Sequence, residues 1–260
     1  MIDQSLSEEQ DSLQKQKIEG FKDYSNTLNT LSAKQFSKFL ITTEEVRPKV
    51  NDLRNFVKNG IKPFFAVKQL IEFFTAEGDL VLDVFSGTGE TLKMLSDLDR
   101  QAIGIERDSE QILNYKHAVL SDSFLKDFKV IEGDALEVST NLKEKFDFIF
   151  VDPPVKSHRM FDEMDSIGDR SLKYYTDYLV SLLDSLSFRL KEGKYLVCLL
   201  QDFYFKGQYF MLPAIVANQV SNLKFKGIKI YSRQLDVNNI PNKRVYAPVQ
   251  NHFYALIFTL

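Results

Sequence analysis

Asp152, Pro153 and Pro154 are the residues of this sequence whose types and order point most directly to chemistry. They follow an apolar, strand-forming run over residues 146–151, which must stop there because proline has no N–H for a ladder and fixes its own φ angle. The Asp152 carboxylate is then left at the carboxyl end of a strand, beside a backbone carbonyl on a stiff turn. Two such acceptors suit one task, which is to hold both hydrogens of an exocyclic amine. The alternative is a strand that stops at two prolines and leaves Asp152 in solvent.

Three earlier apolar runs also carry an acid at or near their carboxyl ends. They cover residues 79–85, 102–106 and 130–135, and the acids are Asp83, Glu106 and Asp134. Short apolar runs bounded by turn residues predict buried parallel strands. Because the carboxyl ends of parallel strands meet at the ligand-binding edge of an open α/β sheet, we expect all four acids to surround one ligand.

The turn after the first of these runs predicts the kind of ligand. Gly87 and Gly89 let a ligand approach the backbone, and the helix that follows offers free N–H groups. The third glycine of the dinucleotide fingerprint is missing, and Asp83 and Glu90 would repel a pyrophosphate. The turn therefore favours S-adenosylmethionine, which carries ammonium and sulfonium charges, over NAD or FAD. Glu106 has the spacing of an acid that binds ribose hydroxyls.

Composition limits the class of protein. The chain has 260 residues, of which 44% are apolar and 27% charged, and its formal net charge is −3, so that any nucleic-acid contact must come from a local basic patch. The single Cys198 rules out a disulfide framework and a cysteine-based zinc site, and its place in the apolar run 195–200 predicts a buried side chain, not a nucleophile. With no signal sequence or membrane-spanning run, we expect a cytoplasmic protein.

The remaining segments are predicted as supporting elements. Residues 1–60 are polar with helical spacing and are assigned to an N-terminal helical extension, and residues 61–260 to the functional domain. A helix is expected after Pro63, and another over residues 172–190, which Gly193 would cap. Further elements are a helix over 212–223 and final strands over 225–231 and 252–259. Six basic residues between 221 and 251 form the candidate phosphate-contacting patch, namely Lys224, Lys226, Lys229, Arg233, Lys243 and Arg244.

Four ordered segments together resemble a known family. They are Asp83-Val84-Phe85-Ser86-Gly87-Thr88-Gly89, Gly104-Ile105-Glu106, Gly133-Asp134-Ala135 and Asp152-Pro153-Pro154. In this order they are similar to the motifs of the S-adenosylmethionine-dependent DNA amino-methyltransferases, which make N6-methyladenine or N4-methylcytosine. The resemblance implies an α/β class I methyltransferase (Rossmann-like) fold, a doubly wound seven-stranded sheet whose last strand is antiparallel.

The resemblance also implies roles for individual residues. S-adenosyl-L-methionine would be bound by Asp83, Phe85, Gly87, Thr88, Gly89, Glu106, Asp134 and Ala135. Within this set, Glu106 would contact the ribose and Asp134 the adenine. Catalysis would rest on Asp152, Pro153 and Pro154, with the Asp152 carboxylate and the Pro153 carbonyl holding the target amine, and no metal is implied. A base within a duplex would have to be flipped out to reach them.

One position differs from the family pattern. The family normally follows Asp-Pro-Pro with an aromatic residue that stacks on the flipped base, and this chain has Val155. Either Phe161 or a tyrosine of the segment 174–178 takes its place, or the acceptor is not a flipped DNA base.

Three functions are open at this point. The first is DNA methylation at adenine N6 or cytosine N4, as in restriction-modification systems. It would involve DNA bound through the patch 221–251, possible help from a specificity or restriction partner protein, and no membrane. The second is RNA methylation at a guanine N2 or adenine N6 amine, and the third is a non-catalytic methyltransferase-like subunit.

Overall fold

The computed structural model describes residues 44–45, 64–121, 128–154, 169–205, 208–232 and 252–260. All of them belong to one compact unit, Thr43–Leu260. The predicted extension over residues 1–60 lies outside the described residues except for Glu44 and Glu45, so the division at residue 60 stays a prediction.

The described residues form one mixed sheet and a small hairpin. The strands of the sheet are β1 (Glu44–Glu45), β2 (Leu80–Asp83), β3 (Gln101–Glu106), β4 (Lys129–Glu132), β5 (Phe146–Val151), β6 (Leu190–Leu200), β9 (Lys224–Ser232) and β10 (His252–Thr259). The hairpin consists of β7 (Phe203–Phe205) and β8 (Gln208–Phe210). The order in the sheet is β1-β9-β10-β6-β5-β2-β3-β4.

The predicted seven-stranded sheet with an antiparallel last strand is confirmed, with β1 as an additional two-residue strand at the edge. β2, β3, β4, β5 and β6 pair in parallel. β10 runs antiparallel to both of its neighbours, β6 and β9. The reversal of strand order between β2 and β5 is a topological switch point, where open α/β sheets bind their ligands.

Helices connect the strands on both faces of the sheet. They are α1 (Phe64–Phe74), α2 (Glu90–Asp97), α3 (Ser109–Ser121), α4 (Ala135–Asn141), α5 (Asp169–Ser187) and α6 (Leu212–Gln219). Within the described residues, none of the helices has the length and apolar character that crossing a membrane requires.

The central strand β5 is buried along its whole length because helices cover both of its faces. On one face the ring of Phe148 stacks on Phe74 of α1, with 5.7 Å between the ring centroids. On the other face Ile149 packs in a core cluster that includes Leu179 and Leu182 of α5. Near-continuous apolar sequence is what a strand covered on both sides requires, which is why this run could be recognised.

Two local features differ from the predictions. Helix α5 ends at Ser187, and Gly193, predicted as its cap, lies inside β6 with φ 72°. The pairing of β5 with β6 is irregular here, since Phe146 lies opposite Leu190 but Phe148 lies opposite Tyr195. The second feature is the hairpin β7–β8, which follows directly after β6 and was not predicted.

Candidate active site at the carboxyl edge of the sheet

Asp83 ends β2 and is 1% exposed, although it carries an ionisable carboxyl group. Neither of its carboxylate oxygens accepts a hydrogen bond of normal geometry. Burial, followed by the negative charge of Asp152, raises the pKa of Asp83 to about 8, and the Phe85 amide and the Thr91 hydroxyl offset only part of this effect. The Asp83 carboxyl group therefore ionises at little cost only when a cation lies beside it.

The turn after β2 is fixed between the two neighbouring strands. The Val84 amide donates to the Phe150 carbonyl at 3.0 Å, and the Ser86 amide donates to the Ile105 carbonyl at 2.9 Å. Gly89 has φ 88°, and a Cβ atom placed on it would overlap the ring of Tyr115. The turn therefore needs glycine at this position for both its backbone angle and its packing.

Glu106 ends β3 and ties the turn to its own strand. Its Oε2 atom accepts a hydrogen bond from the Gly87 amide at 2.8 Å. Its Oε1 atom accepts from the Arg107 and Asp108 amides, both at 2.8 Å. Because a carboxylate has about four acceptor positions, Oε2 retains capacity for a further donor such as a hydroxyl group.

Asp134 follows β4 and caps helix α4. Its Oδ1 atom accepts from the amides of Leu136 at 2.9 Å and Glu137 at 3.4 Å. Its Oδ2 atom accepts from the hydroxyl group of Tyr178 at 3.0 Å. Burial, together with the nearby Asp134 charge, raises the pKa of Tyr178, so the hydroxyl remains a donor.

The Asp152-Pro153-Pro154 turn follows β5. Asp152 is partly exposed, Pro153 is buried and Pro154 is exposed. The hydroxyl group of Tyr175, on α5, donates to the Pro154 carbonyl at 3.2 Å. A buried tyrosine thus holds the end of the turn in place.

The structure brings the four predicted acids to the same edge of the sheet. Their strands are neighbours in the order β5-β2-β3-β4, and all four run in parallel. Asp83 lies close enough to Asp152 and Glu106 for both charges to raise its pKa. The tyrosine contacts were not predicted, because Tyr178 and Asp134 are 44 positions apart in the sequence. Phe161 lies outside the described residues.

A second polar cluster, also missed in the sequence, lies at this edge beyond β6. Asp202 is buried and accepts at Oδ2 from the Tyr209 hydroxyl at 2.6 Å and the Tyr254 hydroxyl at 2.9 Å. His252 Nε2 lies 2.8 Å from the Tyr254 hydroxyl and 3.4 Å from Asp202 Oδ2. We call these four residues the Asp202 cluster.

The predicted basic patch is not assembled among the described residues. Lys229 is completely buried in β9, beside the ring of Tyr231. Lys224 begins β9, which places it at the opposite edge of the sheet from Asp152. The prediction is therefore wrong for Lys229 as part of an exposed patch, because its side chain lies in the interior of the protein. Arg233, Lys243 and Arg244 lie outside the described residues.

Comparisons with known sequences find a DNA methylase likeness over part of the chain, which includes the Asp83–Gly89 and Gly104–Glu106 segments. Residues 2–116 match the N6/N4 methyltransferase family model, described as DNA methylase. Over 50 residues, the chain is 44% identical to a Haemophilus influenzae protein named the probable type III restriction-modification enzyme HindVI Mod subunit. This segment is 19% of the chain and 7% of that relative, so the chain spans only a small part of the relative's length.

Comparisons with solved structures agree with the topology. TrmN from Thermus thermophilus superposes with a TM-score of 0.51 at 14% identity, covering 75% of this chain and 47% of that one. A methyltransferase from Pyrococcus furiosus superposes with a TM-score of 0.51 at 14% identity, covering 87% of this chain and 93% of that one. At this identity the likeness concerns the fold, and it confirms the class I methyltransferase architecture.

Proposed function

We propose that this chain, whose residues 2–116 match the N6/N4 DNA methylase family model, transfers a methyl group from S-adenosyl-L-methionine to an exocyclic amine of DNA. The acceptor is adenine N6 or cytosine N4. The observation that carries the proposal is the buried carboxyl group of Asp83, which accepts no hydrogen bond of normal geometry and lies beside Asp152 at the switch point of the sheet.

The state of Asp83 fits the cofactor's cationic end. A carboxylate without a donor costs about 1–3 kcal/mol or more when it is buried, so the site is unfavourable until a cation or a donor arrives. The ammonium group of S-adenosylmethionine supplies both. Phe85, Gly87, Thr88 and Gly89 form the turn beside it.

The other two acids fit the nucleoside part of the cofactor. Glu106 keeps its carboxylate oriented through three backbone amides and has an acceptor position left for the ribose hydroxyls. Asp134 is held by its capping bonds and by Tyr178, and in our assignment its Oδ2 accepts from the adenine amine, with Ala135 beside it.

Asp152 and Pro153 act on the acceptor. The bound cofactor supplies an electrophilic methyl group on a sulfonium. Asp152 and the Pro153 carbonyl each accept one hydrogen of the target amine, which draws the nitrogen lone pair out of conjugation and orients it. Methylation would join the nitrogen to that methyl carbon in place of the sulfur, and Asp152 would accept the proton that the nitrogen sheds. Pro154 and Tyr175 keep this turn rigid.

DNA is proposed as the substrate on the strength of the family match, since the described residues present no basic patch. The matched segment is only 7% of the relative, which is named as one subunit of a restriction-modification enzyme. We therefore include a specificity or restriction partner protein in the proposal. Restriction-modification would then be the biological setting.

Labelled methyl transfer tests the assignment. The purified protein is incubated with methyl-labelled S-adenosylmethionine and, separately, duplex DNA and bulk RNA. We expect label in DNA, and a loss of about a hundredfold or more in Asp152→Ala, as for other groups that act at the reacting atom. Cofactor affinity, measured by calorimetry, should change little in this variant.

A surface variant controls for general damage. Glu72→Ala removes a carboxylate whose only described contact is an exposed ion pair with Lys68 at 3.6 Å, and it should transfer like the wild type. Unchanged transfer in Asp152→Ala would remove that residue from the mechanism. Label in RNA alone would replace the acceptor, and cofactor binding without any transfer would favour a non-catalytic subunit.

A further inference from the structure

Asp202 is the second buried acid at this edge with an unsatisfied oxygen. Among the described residues, the buried side-chain atoms without a hydrogen-bond partner are both carboxylate oxygens of Asp83 and Oδ1 of Asp202. Native proteins leave few such atoms, and each one asks for an explanation such as a ligand. Asp83 ends β2 and Asp202 follows the end of β6, and these two strands flank β5 on opposite sides.

The Asp202 cluster lies on the acceptor side of the Asp152 turn. Val151, the last residue of β5, is opposite Cys198, and β6 runs on in the same direction to Leu200, two residues before Asp202. The amino end of the antiparallel β10 meets it there, because Tyr254 is opposite Leu200. With the cofactor assigned to the β2–β4 side of Asp152, the β6 side remains for the acceptor.

Tyr209 offers an aromatic surface at this place. Its hydroxyl group is tied to Asp202 at 2.6 Å, yet 47% of the residue is exposed. Burial and the charge of Asp202 raise the pKa of its hydroxyl to about 12, so it stays protonated and donating. A ring that is anchored at one end and open on its surface has little entropy left to lose on stacking.

Three other described tyrosines could in principle stack on a base, but each is either bound to another group or not anchored by a hydrogen bond. Tyr175 is buried against the Pro154 carbonyl, and Tyr178 donates to Asp134. Tyr174 is 60% exposed, which makes it the competing candidate.

We propose that the acceptor base stacks on the ring of Tyr209, which takes the role of the aromatic residue that the family normally has at the position of Val155. Asp202 and Tyr254 are positioning residues that hold the Tyr209 hydroxyl and the hairpin β7–β8 against β6 and β10. The Asp202 Oδ1 atom is a further acceptor for an N–H group of the nucleotide. This inference rests on the proposed function, because it needs an unpaired nucleobase as ligand.

Binding of single-stranded DNA by the full-length protein tests the platform. The probes are fluorescent strands of adenine only or cytosine only, and an abasic strand of the same length, with S-adenosylhomocysteine present. We expect Tyr209→Ala to weaken binding of the base-bearing strands by about fivefold to a hundredfold, the usual range for one stacked base. Abasic binding and cofactor affinity should not change, and Tyr174→Ala should bind like the wild type.

Two further variants separate the ring from its anchor. Tyr209→Phe keeps the ring and loses the bond to Asp202, so its loss should be smaller than that of Tyr209→Ala. Tyr209→Leu keeps apolar bulk without a ring and should resemble the alanine variant, which also covers the case in which the alanine variant does not fold.

Several results would overturn the platform. They are a wild type that binds base-bearing and abasic strands equally, a Tyr209→Ala variant with unchanged affinity and unchanged KM for DNA, and a loss that follows Tyr174→Ala instead. Methyl transfer distinguishes this failure from that of the proposed function. Transfer that is indifferent to Tyr209 removes the platform alone, and Tyr209-dependent base binding without transfer to any DNA removes the proposed function alone.

Discussion

Asp83 ends β2 and Asp152 follows the adjacent parallel strand β5, and the charge of Asp152 is the second cause, after burial, that raises the pKa of Asp83 to about 8. Two acids that face the same space cannot both ionise without cost unless a cation lies between or beside them. In the proposed function, the cationic end of the cofactor lies beside Asp83 and the neutral amine of the acceptor lies beside Asp152. The closeness of the two acids also makes the stability of the cofactor-free protein depend on pH.

Asp83→Asn should remove a pH dependence of stability. The ordinary pKa of the carboxyl group is 3.8 and the folded value is about 8. Between these values the folded state holds a proton that the unfolded state has lost, so the free energy of unfolding falls as the pH rises, by at most about 1.4 kcal/mol per pH unit. Urea unfolding across this interval should show the slope in the wild type and a flatter line in Asp83→Asn.

The same variant should bind S-adenosylmethionine about tenfold or more weakly, because a neutral amide no longer attracts the ammonium group. Calorimetry measures this, along with proton release on binding to the wild type below about pH 8, since the cation favours the ionised acid. Equal slopes in the two proteins would show that Asp83 does not titrate in this range.

Asp134→Asn and Asp134→Ala should separate helix capping from cofactor binding. Asparagine caps a helix about as well as aspartate, so the first variant should keep its stability to within a few tenths of a kcal/mol, and alanine should cost about 1 kcal/mol. Both should weaken cofactor binding, because an asparagine NH2 group that faces the adenine amine and Tyr178 cannot accept. Thermal unfolding and calorimetry give the two quantities, and unchanged affinity in Asp134→Asn would take the adenine role from this residue.

The strand ends of the site could be predicted because their signals are local. An apolar run that stops at Asp152-Pro153, or at a Gly-x-Gly turn, identifies a strand end whatever the rest of the chain does. Parallel pairing then brings the ends together without any knowledge of side-chain contacts. The four acids were found in this way, and their roles toward a ligand remain proposals.

The parts that escaped prediction depend on contacts distant in sequence. Gly193 is the residue type that commonly caps a helix, which is why it was predicted as a cap. In the structure the Asp147 carboxylate on β5 instead binds Lys191 at 2.7 Å and Lys194 at 3.3 Å, and β6 bulges around it. The Asp202 cluster likewise joins residues 202, 209, 252 and 254. No periodicity marks such contacts.

Asp147→Asn should lower stability and leave the candidate site intact. The carboxylate also accepts from the Leu80 amide at 3.1 Å. Burial opposes its ionisation, but the bonds from Lys191 and Leu80 outweigh it and lower the pKa of Asp147, so its contribution persists at neutral pH and is lost in acid. We expect the free energy of unfolding in urea to fall by about 1–3 kcal/mol. Cofactor affinity should not change, because Asp147 lies near the amino end of β5.

Asp177→Asn is the matched control, because Asp177 is exposed and the variant loses only a surface pair with Lys173. Its stability should change by about 0.5 kcal/mol or less.

Gly89→Ala and Gly78→Ala should separate backbone strain from overlap. Both glycines have positive φ, 88° and 81°, so either substitution should cost about 1–2 kcal/mol for the left-handed backbone alone. A Cβ atom at Gly78 would have nothing within 4 Å, but at Gly89 it would overlap the Tyr115 ring. Gly89→Ala should therefore destabilise the protein more than Gly78→Ala, and it should also weaken S-adenosylmethionine binding by moving the turn.

Combining Gly89→Ala with Tyr115→Leu should relieve the overlap, so that the double variant loses less stability than the two single changes together. Urea unfolding of the four variants and the wild type gives the comparison, and equal losses for the two alanine variants would show that the Tyr115 contact does not constrain the turn.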